Sequence, residues 1–332
     1  MRYFSYLIIT FFSSILLLEL SLRLFDSNCY SILPIYFEKK HSTFLKNQNI
    51  CVKYTGHPKS IYITNELGFR INIKNETNNK NFLLIGDSQA LGYGVNIEDH
   101  FLYKYLNKKN SNNLEIMAAP HNDLKSIQAF SINNTLNYNS YEKVYVMLNL
   151  AMDIDRFFFG WRENWNISNT YNELQLSKYF RIYPYLKIIY LKFKKYHFTI
   201  RPAINPYLDY ASDDEVEVLF NQIVNKYLNF FDTNNIKKYE FIIIAPAWYI
   251  DNNQISKFKN FYSEKEYLDL KKNISYYNRT MQNHIKFLEK IFIDKNLNNN
   301  IIKNIKKEDE DLFQINNYHL SKYGHEQIAN SF

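Results

Sequence analysis

The stretch NFLLIGDSQALGYG, residues 81–94, gives the clearest indication of the fold. Its apolar first part, Asn81 to Ile85, predicts a buried strand, and Gly86 predicts a tight turn from that strand into a helix. The chain has only seven glycines, and three of them lie between positions 86 and 94. A chain that uses so little glycine keeps it where the backbone requires it, so this turn is the first place to look for chemistry.

Three further apolar runs predict buried strands: Leu114 to Ala118, Lys143 to Leu148 and Tyr239 to Ala245. Helical stretches lie between the strands, and two of them open with a Ser-x-x-Glu capping box, at Ser212 and at Ser263. Strands that alternate with helices predict an α/β domain, in which helices cover both faces of a central parallel sheet as a three-layer α/β/α arrangement. The loops beyond the carboxyl ends of such strands are where ligands bind.

The N-terminal segment from Tyr3 to Phe25 is apolar, and it contains Glu19 and Arg23 in the favourable i,i+4 order of a helical pair. We interpret this segment as one membrane helix and an uncleaved anchor. A cleaved signal peptide is the alternative, although no small-x-small cleavage site follows. Because Arg2 precedes the apolar run, we expect the rest of the chain on the extracytoplasmic, periplasmic side of the cytoplasmic membrane.

Composition limits the remaining possibilities. The 332 residues are 46% hydrophobic and 22% charged, which is typical of a globular protein. The net charge of +7 comes from basic residues that are spread along the chain, so we expect no nucleic-acid partner. We divide the chain into a membrane anchor (1–27), a juxtamembrane segment (28–74) and one α/β domain (75–332). Cys29 and Cys51 are either a disulfide or two buried thiols.

Ser88 stands where an activated nucleophile would be expected. A serine directly after a buried strand, on a glycine turn before a helix, is presented at the edge of the sheet. The alternative is a simple helix cap, because Ser and Asp are favoured at that position. A phosphate-binding loop would end in Gly-Lys-Ser or Gly-Lys-Thr, which this turn does not.

A second motif, NNYHLSKYGH, lies near the C-terminus at residues 316–325. His319 is 231 residues from Ser88 and could serve as its base only if the fold brings the two together. The Gly-Asp-Ser turn and this His-Leu-Ser-x-x-Gly-His block together resemble the SGNH (GDSL) hydrolase family. Residues 62–70, YITNELGFR, resemble the Asn-x-x-Gly-Phe-Arg segment of its membrane-anchored bacterial branch. The resemblance implies a flavodoxin-like sheet.

Carried over to this chain, the resemblance makes Ser88 the nucleophile and His319 the general base. It makes the backbone amides of Ser88 and Ala119 the donors to the oxyanion. Met152 stands where the family has an oxyanion asparagine, and Asn149 is the nearby side-chain amide that could replace it. Loss of one oxyanion donor lowers a rate by roughly 10²- to 10³-fold, so the resemblance implies weakened or altered activity.

The residue that orients His319 is left open by the sequence. Asn316 stands in the position of the family's aspartate, and its neutral side chain can accept the imidazole N–H without stabilising an imidazolium. Asp309, Asp311 or a backbone carbonyl could take that role instead.

The resemblance implies a membrane-anchored esterase, with an acyl or acetyl ester on a cell-surface carbohydrate as its substrate and without a metal or cofactor. An O-acyltransferase would use the same residues, and an inactive carbohydrate-binding or assembly subunit is the alternative outside enzymology. The aromatic segment from Arg156 to Tyr196 is interpreted mainly as core; exposed aromatics that bind sugar or lie on the membrane are its second interpretation.

Overall fold

A computed structural model describes the chain at residues 2–25, 29, 35–38, 41–44, 46–53, 58–72, 80–108, 112–118, 127–128, 131, 136–150, 180–183, 186, 212–251, 264–303, 305, 311–314 and 319–332. The predictions for Ala119, Met152, Ser263, Asp309 and Asn316 therefore lie outside the described residues.

One sheet of eight strands dominates the described part of the chain. Its strands are β3 (Asn49–Val52), β4 (Ser60–Thr64), β5 (Arg70–Ile71), β6 (Asn81–Gly86), β7 (Asn113–Ala118), β8 (Lys143–Asn149), β9 (Tyr239–Ile244) and β10 (Asn299–Ile302). Strands β1 (Ile35–Glu38) and β2 (His41–Phe44) pair with each other in a separate antiparallel sheet.

Five neighbouring strands are parallel, in the order β7-β6-β8-β9-β10. Counted along the chain, this is the order second, first, third, fourth, fifth. The chain passes from β6 to β7 on one side and then returns to β8 on the other, which makes a topological switch point between β6 and β8. The four strands predicted from apolar runs are confirmed within this set. Strand β10 was missed because Asn299 and Asn300 interrupt its apolar pattern.

The other three strands are antiparallel and extend the sheet beyond β7 in the order β5-β4-β3. They come from residues 49–71, within the stretch that the sequence assigned to the juxtamembrane segment. The sheet is thus mostly parallel rather than wholly parallel. These strands were missed because they have only two to five residues each, which is too short for a clear periodic pattern.

The helices are α1 (Arg2–Phe25), α2 (Ser88–Leu91), α3 (Phe101–Asn107), α4 (Asp213–Thr233), α5 (Ala247–Ile250), α6 (Glu264–Asp294) and α7 (Lys322–Ser331). The capping box predicted at Ser212 is confirmed: its hydroxyl accepts from the amide of Glu215, whose carboxylate accepts from the amide of Ser212. Helix α1 contains a window, Ser5–Leu24, that is long and apolar enough to cross a membrane.

Two apolar clusters sandwich the parallel strands, because alternate side chains of a strand point to opposite faces. Leu83 and Ile85 of β6 belong to the cluster that contains the buried residues of α4 and α6. Phe82 and Leu84 of the same strand belong to the cluster formed with α3 and α7. This alternation confirms the α/β class, because helices cover both faces of β6.

Cys29 and Cys51 form a disulfide with a Cα–Cα distance of 4.5 Å. The bond joins the residues just after α1 to strand β3, at the edge of the large sheet. Of the two interpretations that the sequence left open, the structure has the disulfide.

Candidate active site

The turn after β6 places Ser88 at the start of α2. Asp87 caps this short helix, because its carboxylate accepts a 2.8 Å hydrogen bond from the amide of Gln89. A Cβ on Gly86 would lie 2.5 Å from the Cβ of Ala90 and 3.1 Å from the carbonyl oxygen of Met147. Only glycine lets α2 begin this close to the strands, which is why the turn can present a side chain at the switch point.

Ser88 and His319 meet across 231 residues of sequence, with 2.8 Å between Ser88 Oγ and His319 Nε2. Both residues are buried. This separation is within the range in which an imidazole can take a hydroxyl proton, provided that Nε2 is the unprotonated nitrogen. The structure therefore brings together the two residues that the sequence named as nucleophile and base.

Tyr93 lies against the imidazole of His319. The two rings are stacked, with their centroids 4.4 Å apart and their planes inclined by 16°. Stacking on one face restricts rotation of the imidazole and leaves its edge directed at Ser88 Oγ. An aromatic face also attracts the positive charge that the ring carries after it accepts a proton.

The backbone around His319 is held by side chains from the neighbouring loops. The amide of Gln314 donates to the carbonyl of His319 over 2.8 Å, and its side-chain Nε2 donates to the carbonyls of Leu320 and Tyr93. Gln89 accepts from the amide of Leu320 over 3.4 Å. The loop that carries His319 is thus bonded directly to α2, which begins at Ser88, and to the loop that follows α2.

Asn149 ends strand β8 on the other side of the switch point. Its Nδ2 donates a 3.1 Å hydrogen bond to Oδ2 of Asp87, and both side chains are buried. The structure places Asn149 beside the turn that carries Ser88, where a substitute oxyanion donor would have to lie. One N–H of its amide is directed at the carboxylate of Asp87.

The remaining predicted site residues are described only in part. Of the acids considered as partners of His319, Asp311 lies within the described residues; it is exposed, and its carbonyl accepts from the hydroxyl of Ser321. Asn316, Asp309, Ala119 and Met152 lie outside them.

The segment that leads into the site, Asn65 to Arg70, has a clear local role. The side-chain oxygen of Asn65 accepts from the amides of Leu67 and Phe69, over 3.0 and 2.9 Å. Gly68 has φ +79°, a left-handed conformation that favours glycine. Asparagine and glycine at this spacing therefore form the turn between β4 and β5, which delivers Arg70 into the interior.

Arg70 braces the loop that follows α2, the helix that begins at Ser88. Its guanidinium is fully buried and donates to the carbonyls of Leu91 and Val95, each over 2.6 Å. It also lies over the ring of Tyr62, 4.1 Å from the ring centroid, and the hydroxyl of Tyr62 accepts from the amide of Gly94. Burial lowers the pKa of Arg70 to about 10, which still leaves it charged at neutral pH. The braced loop contains Tyr93.

Two buried histidines, His100 and His325, lie at the start of α3. Nδ1 of His100 accepts from the amide of Leu102, while its Nε2 lies 2.9 Å from the carbonyl oxygen of Ala90. Nδ1 of His325 accepts from the amide of Phe101 over 3.2 Å. Burial lowers the pKa of His100 to about 3 and that of His325 well below its usual range. Both rings are neutral and cap the start of α3, and so His325 is a buried structural residue.

Comparisons with known proteins do not assign the chain. No family model matches it, and no curated protein matches it. One matching crystal structure covers 76% of this chain and 94% of its own, at 9% sequence identity and a TM-score of 0.39. A likeness this weak carries no argument, so any function must be argued from the site itself.

Proposed function

We propose that this chain is a membrane-anchored, extracytoplasmic esterase of the SGNH (GDSL) type. One observation carries the proposal: Ser88 Oγ lies 2.8 Å from His319 Nε2 at the carboxyl end of a parallel strand. The cap of α2 is Asp87, and helix capping would not require a histidine at that distance from Ser88. The pair is the arrangement that nucleophilic acyl transfer needs.

The strand order supports the family assignment. Five parallel strands in the order second, first, third, fourth, fifth are the flavodoxin-like order, and ligands bind such sheets at the switch point. Ser88 and Asn149 flank that point. The turn at Asn65 and Gly68 and the brace by Arg70 supply a physical reason for the Asn-x-x-Gly-Phe-Arg segment to accompany this nucleophile turn.

The proposed reaction has two halves. Ser88 Oγ attacks the ester carbonyl carbon while its proton passes to His319 Nε2, and the amides of Ser88 and Ala119 donate to the oxyanion. The intermediate collapses to an acyl-serine, and the departing alcohol takes the proton from His319. Water then attacks the acyl-serine while His319 Nε2 takes its proton, and the second intermediate releases the acid as His319 returns that proton to Ser88 Oγ.

Orientation of His319 is shared among several groups in this proposal. We assign the acceptor of the imidazole N–H to the side-chain oxygen of Asn316, with Asp309, Asp311 or a backbone carbonyl as the alternatives; such an acceptor favours the tautomer with a free Nε2. Tyr93 and the bonds through Gln314 hold the ring and its backbone. This division compensates in part for the missing aspartate, whose negative charge would otherwise stabilise the imidazolium.

The proposed location follows from the N-terminal helix and the disulfide. Helix α1 has the length and apolarity of a single membrane span. The bond between Cys29 and Cys51 is a feature of proteins in oxidising compartments, which supports placing the domain outside the cytoplasm. The substrate we propose is an acyl or acetyl ester on a cell-surface carbohydrate, and a sugar hydroxyl in place of water would make the same site an O-acyltransferase.

Hydrolysis of a short p-nitrophenyl ester by the full-length protein in detergent tests the proposal. We expect Ser88→Ala to abolish hydrolysis and Ser140→Ala, a change at an exposed serine, to leave it unaltered. Equal rates for the wild type and Ser88→Ala would refute the nucleophile assignment. Adding a carbohydrate acceptor separates the two enzyme classes, because a transferase would form the sugar ester at the expense of free acid.

A catalytically silent SGNH-type fold is the second candidate. It is favoured by the amide of Asn149, which donates to Asp87, and by Met152, whose side chain offers no donor to an oxyanion. Such a chain would bind a carbohydrate ester without turning it over. Glycan binding by both wild type and Ser88→Ala, with no ester hydrolysed by either, would establish it.

A further inference from the structure

The carboxyl end of helix α1 is bonded to a segment far away in sequence. The carboxylate of Glu19 accepts from the amides of Arg181 and Ile182, over 3.1 and 2.9 Å, while Arg23 donates to the same carboxylate over 2.7 Å. The guanidinium of Arg181 donates to the carbonyl of Cys29 over 2.8 Å. These bonds join residues 181 and 182 to the last turns of the apolar span and to the disulfide beyond it.

The position of Glu19 fixes the depth of that segment. Glu19 lies five residues before the end of the Ser5–Leu24 window, which at the rise of an α-helix is about 7.5 Å along the axis. Hydrogen-bonded amides must lie at the level of the carboxylate that accepts from them. When α1 spans a bilayer, the amides of residues 181 and 182 therefore lie in the outer leaflet, about 7.5 Å below the end of the apolar window.

Apolar side chains of this segment are exposed to the surroundings. Phe180 is 53% exposed and Leu186 is 47% exposed, whereas Ile182 between them is buried. The segment makes short-range bonds of its own, from the amide of Tyr183 to the carbonyl of Phe180 and from that of Leu186 to the carbonyl of Ile182. Aromatic and aliphatic side chains on such a turn are suited to the interfacial layer of a membrane.

We infer that residues 180–183 and 186 form a second membrane contact, in which Phe180 and Leu186 enter the outer leaflet beside the carboxyl end of α1. This inference rests on the proposed anchoring of α1, and its partner is the lipid bilayer itself. Glu19 has a specific role in it: the carboxylate satisfies two backbone amides that would otherwise be unpaired at that depth. The segment thereby restrains the domain against the membrane at a second point.

Depth-dependent quenching tests the inference on the full chain in phosphatidylcholine vesicles. The variant Phe180→Trp has more tryptophan emission than the parent protein. Lipids brominated high on their acyl chains should quench this added emission by at least half. The matched control is Ile293→Trp on α6, at a residue that is 76% exposed. Its added emission should respond to aqueous iodide and not to brominated lipid. Introducing Glu19→Leu into Phe180→Trp should reduce the quenching by lipid, because the two amides lose their acceptor.

Two failures can be told apart. A chain that remains with the vesicles after alkaline carbonate extraction, but whose residue-180 emission responds to iodide and not to brominated lipid, overturns the second contact and leaves the anchor intact. A chain that alkaline carbonate strips from the vesicles overturns the proposed anchor and this inference with it.

Discussion

Ser88 and His319 are the residues on which the proposed function depends, and Tyr93 and Gln314 are described partners that hold His319 in place. Tyr93 lies between two glycines that the sequence singled out, yet its stacking on His319 could not be predicted, because the contact joins loops more than 200 residues apart. The same is true of Gln314, whose position two residues before Asn316 carries no recognisable signal.

Replacing Tyr93 tests how much the stacked ring contributes. We expect Tyr93→Ala to lower kcat about tenfold, equivalent to the roughly 1.4 kcal/mol at the upper end of an aromatic pair, with little change in KM. Tyr93→Phe keeps the ring and should retain most of the activity. Steady-state kinetics on a p-nitrophenyl ester measures both variants. Equal losses in Ala and Phe would mean that the hydroxyl, rather than the ring, is what matters.

Asn316→Asp should raise the rate. A carboxylate would fix the imidazole tautomer and stabilise the imidazolium, effects worth up to roughly 10⁴-fold in the serine-protease triad. We expect about tenfold, since a weakened oxyanion hole would still limit the reaction. The measurement is kcat/KM beside that of the wild type. A neutral Asn316→Asp together with an inactive Asp311→Ala would instead identify Asp311 as the orienting residue.

At the scale of secondary structure, the parallel strands were predictable and the antiparallel ones were not. Strand β6 is a continuous apolar run because both of its faces are covered, and such runs are visible in sequence. Strand β5 consists of Arg70 and Ile71 alone, so its pairing with β7 is defined by tertiary contacts. The resemblance at residues 62–70 identified this segment without revealing that it forms part of the sheet.

The capping histidines of helix α3 should make the fold sensitive to acid. Burial holds the pKa of His100 at about 3, below the value near 6.5 of an exposed histidine. Between about pH 3 and pH 6.5 the unfolded chain therefore binds more protons than the folded chain. The contribution of His100 to the free energy of unfolding is complete above about pH 6.5 and falls as the pH drops below that value. The loss is at most about 1.4 kcal/mol per pH unit for each such histidine. Urea unfolding between pH 7.5 and 5 measures it.

The control for the acid effect is His325→Gln, which keeps a side-chain acceptor for the amide of Phe101 but cannot titrate. We expect this variant to be less stable at pH 7.5 and to lose less stability on acidification than the wild type. An unchanged slope against pH would show that carboxylates, and not these histidines, govern the response.

At the scale of the whole molecule, the disulfide ties the residues after α1 to the edge of the large sheet. Its sequence separation of 22 residues corresponds, in the chain-entropy treatment, to a stabilisation of about 3 kcal/mol. A reducing agent should therefore lower the urea midpoint of the wild type. The double variant Cys29→Ser, Cys51→Ser should match the reduced wild type and should not respond to the reagent. A response in that variant would point to an effect unrelated to the bond.

Reaction with a serine-directed fluorophosphonate tests whether Ser88 is a nucleophile activated by His319, and it needs no knowledge of the natural ester. We expect one adduct, which peptide mass spectrometry places on Ser88. The adduct should be absent in Ser88→Ala and should form at least a hundredfold more slowly in His319→Gln, since general-base assistance contributes about 10²- to 10⁴-fold. A folded wild type that stays unlabelled, or that is labelled equally fast in His319→Gln, would contradict a nucleophile activated by His319.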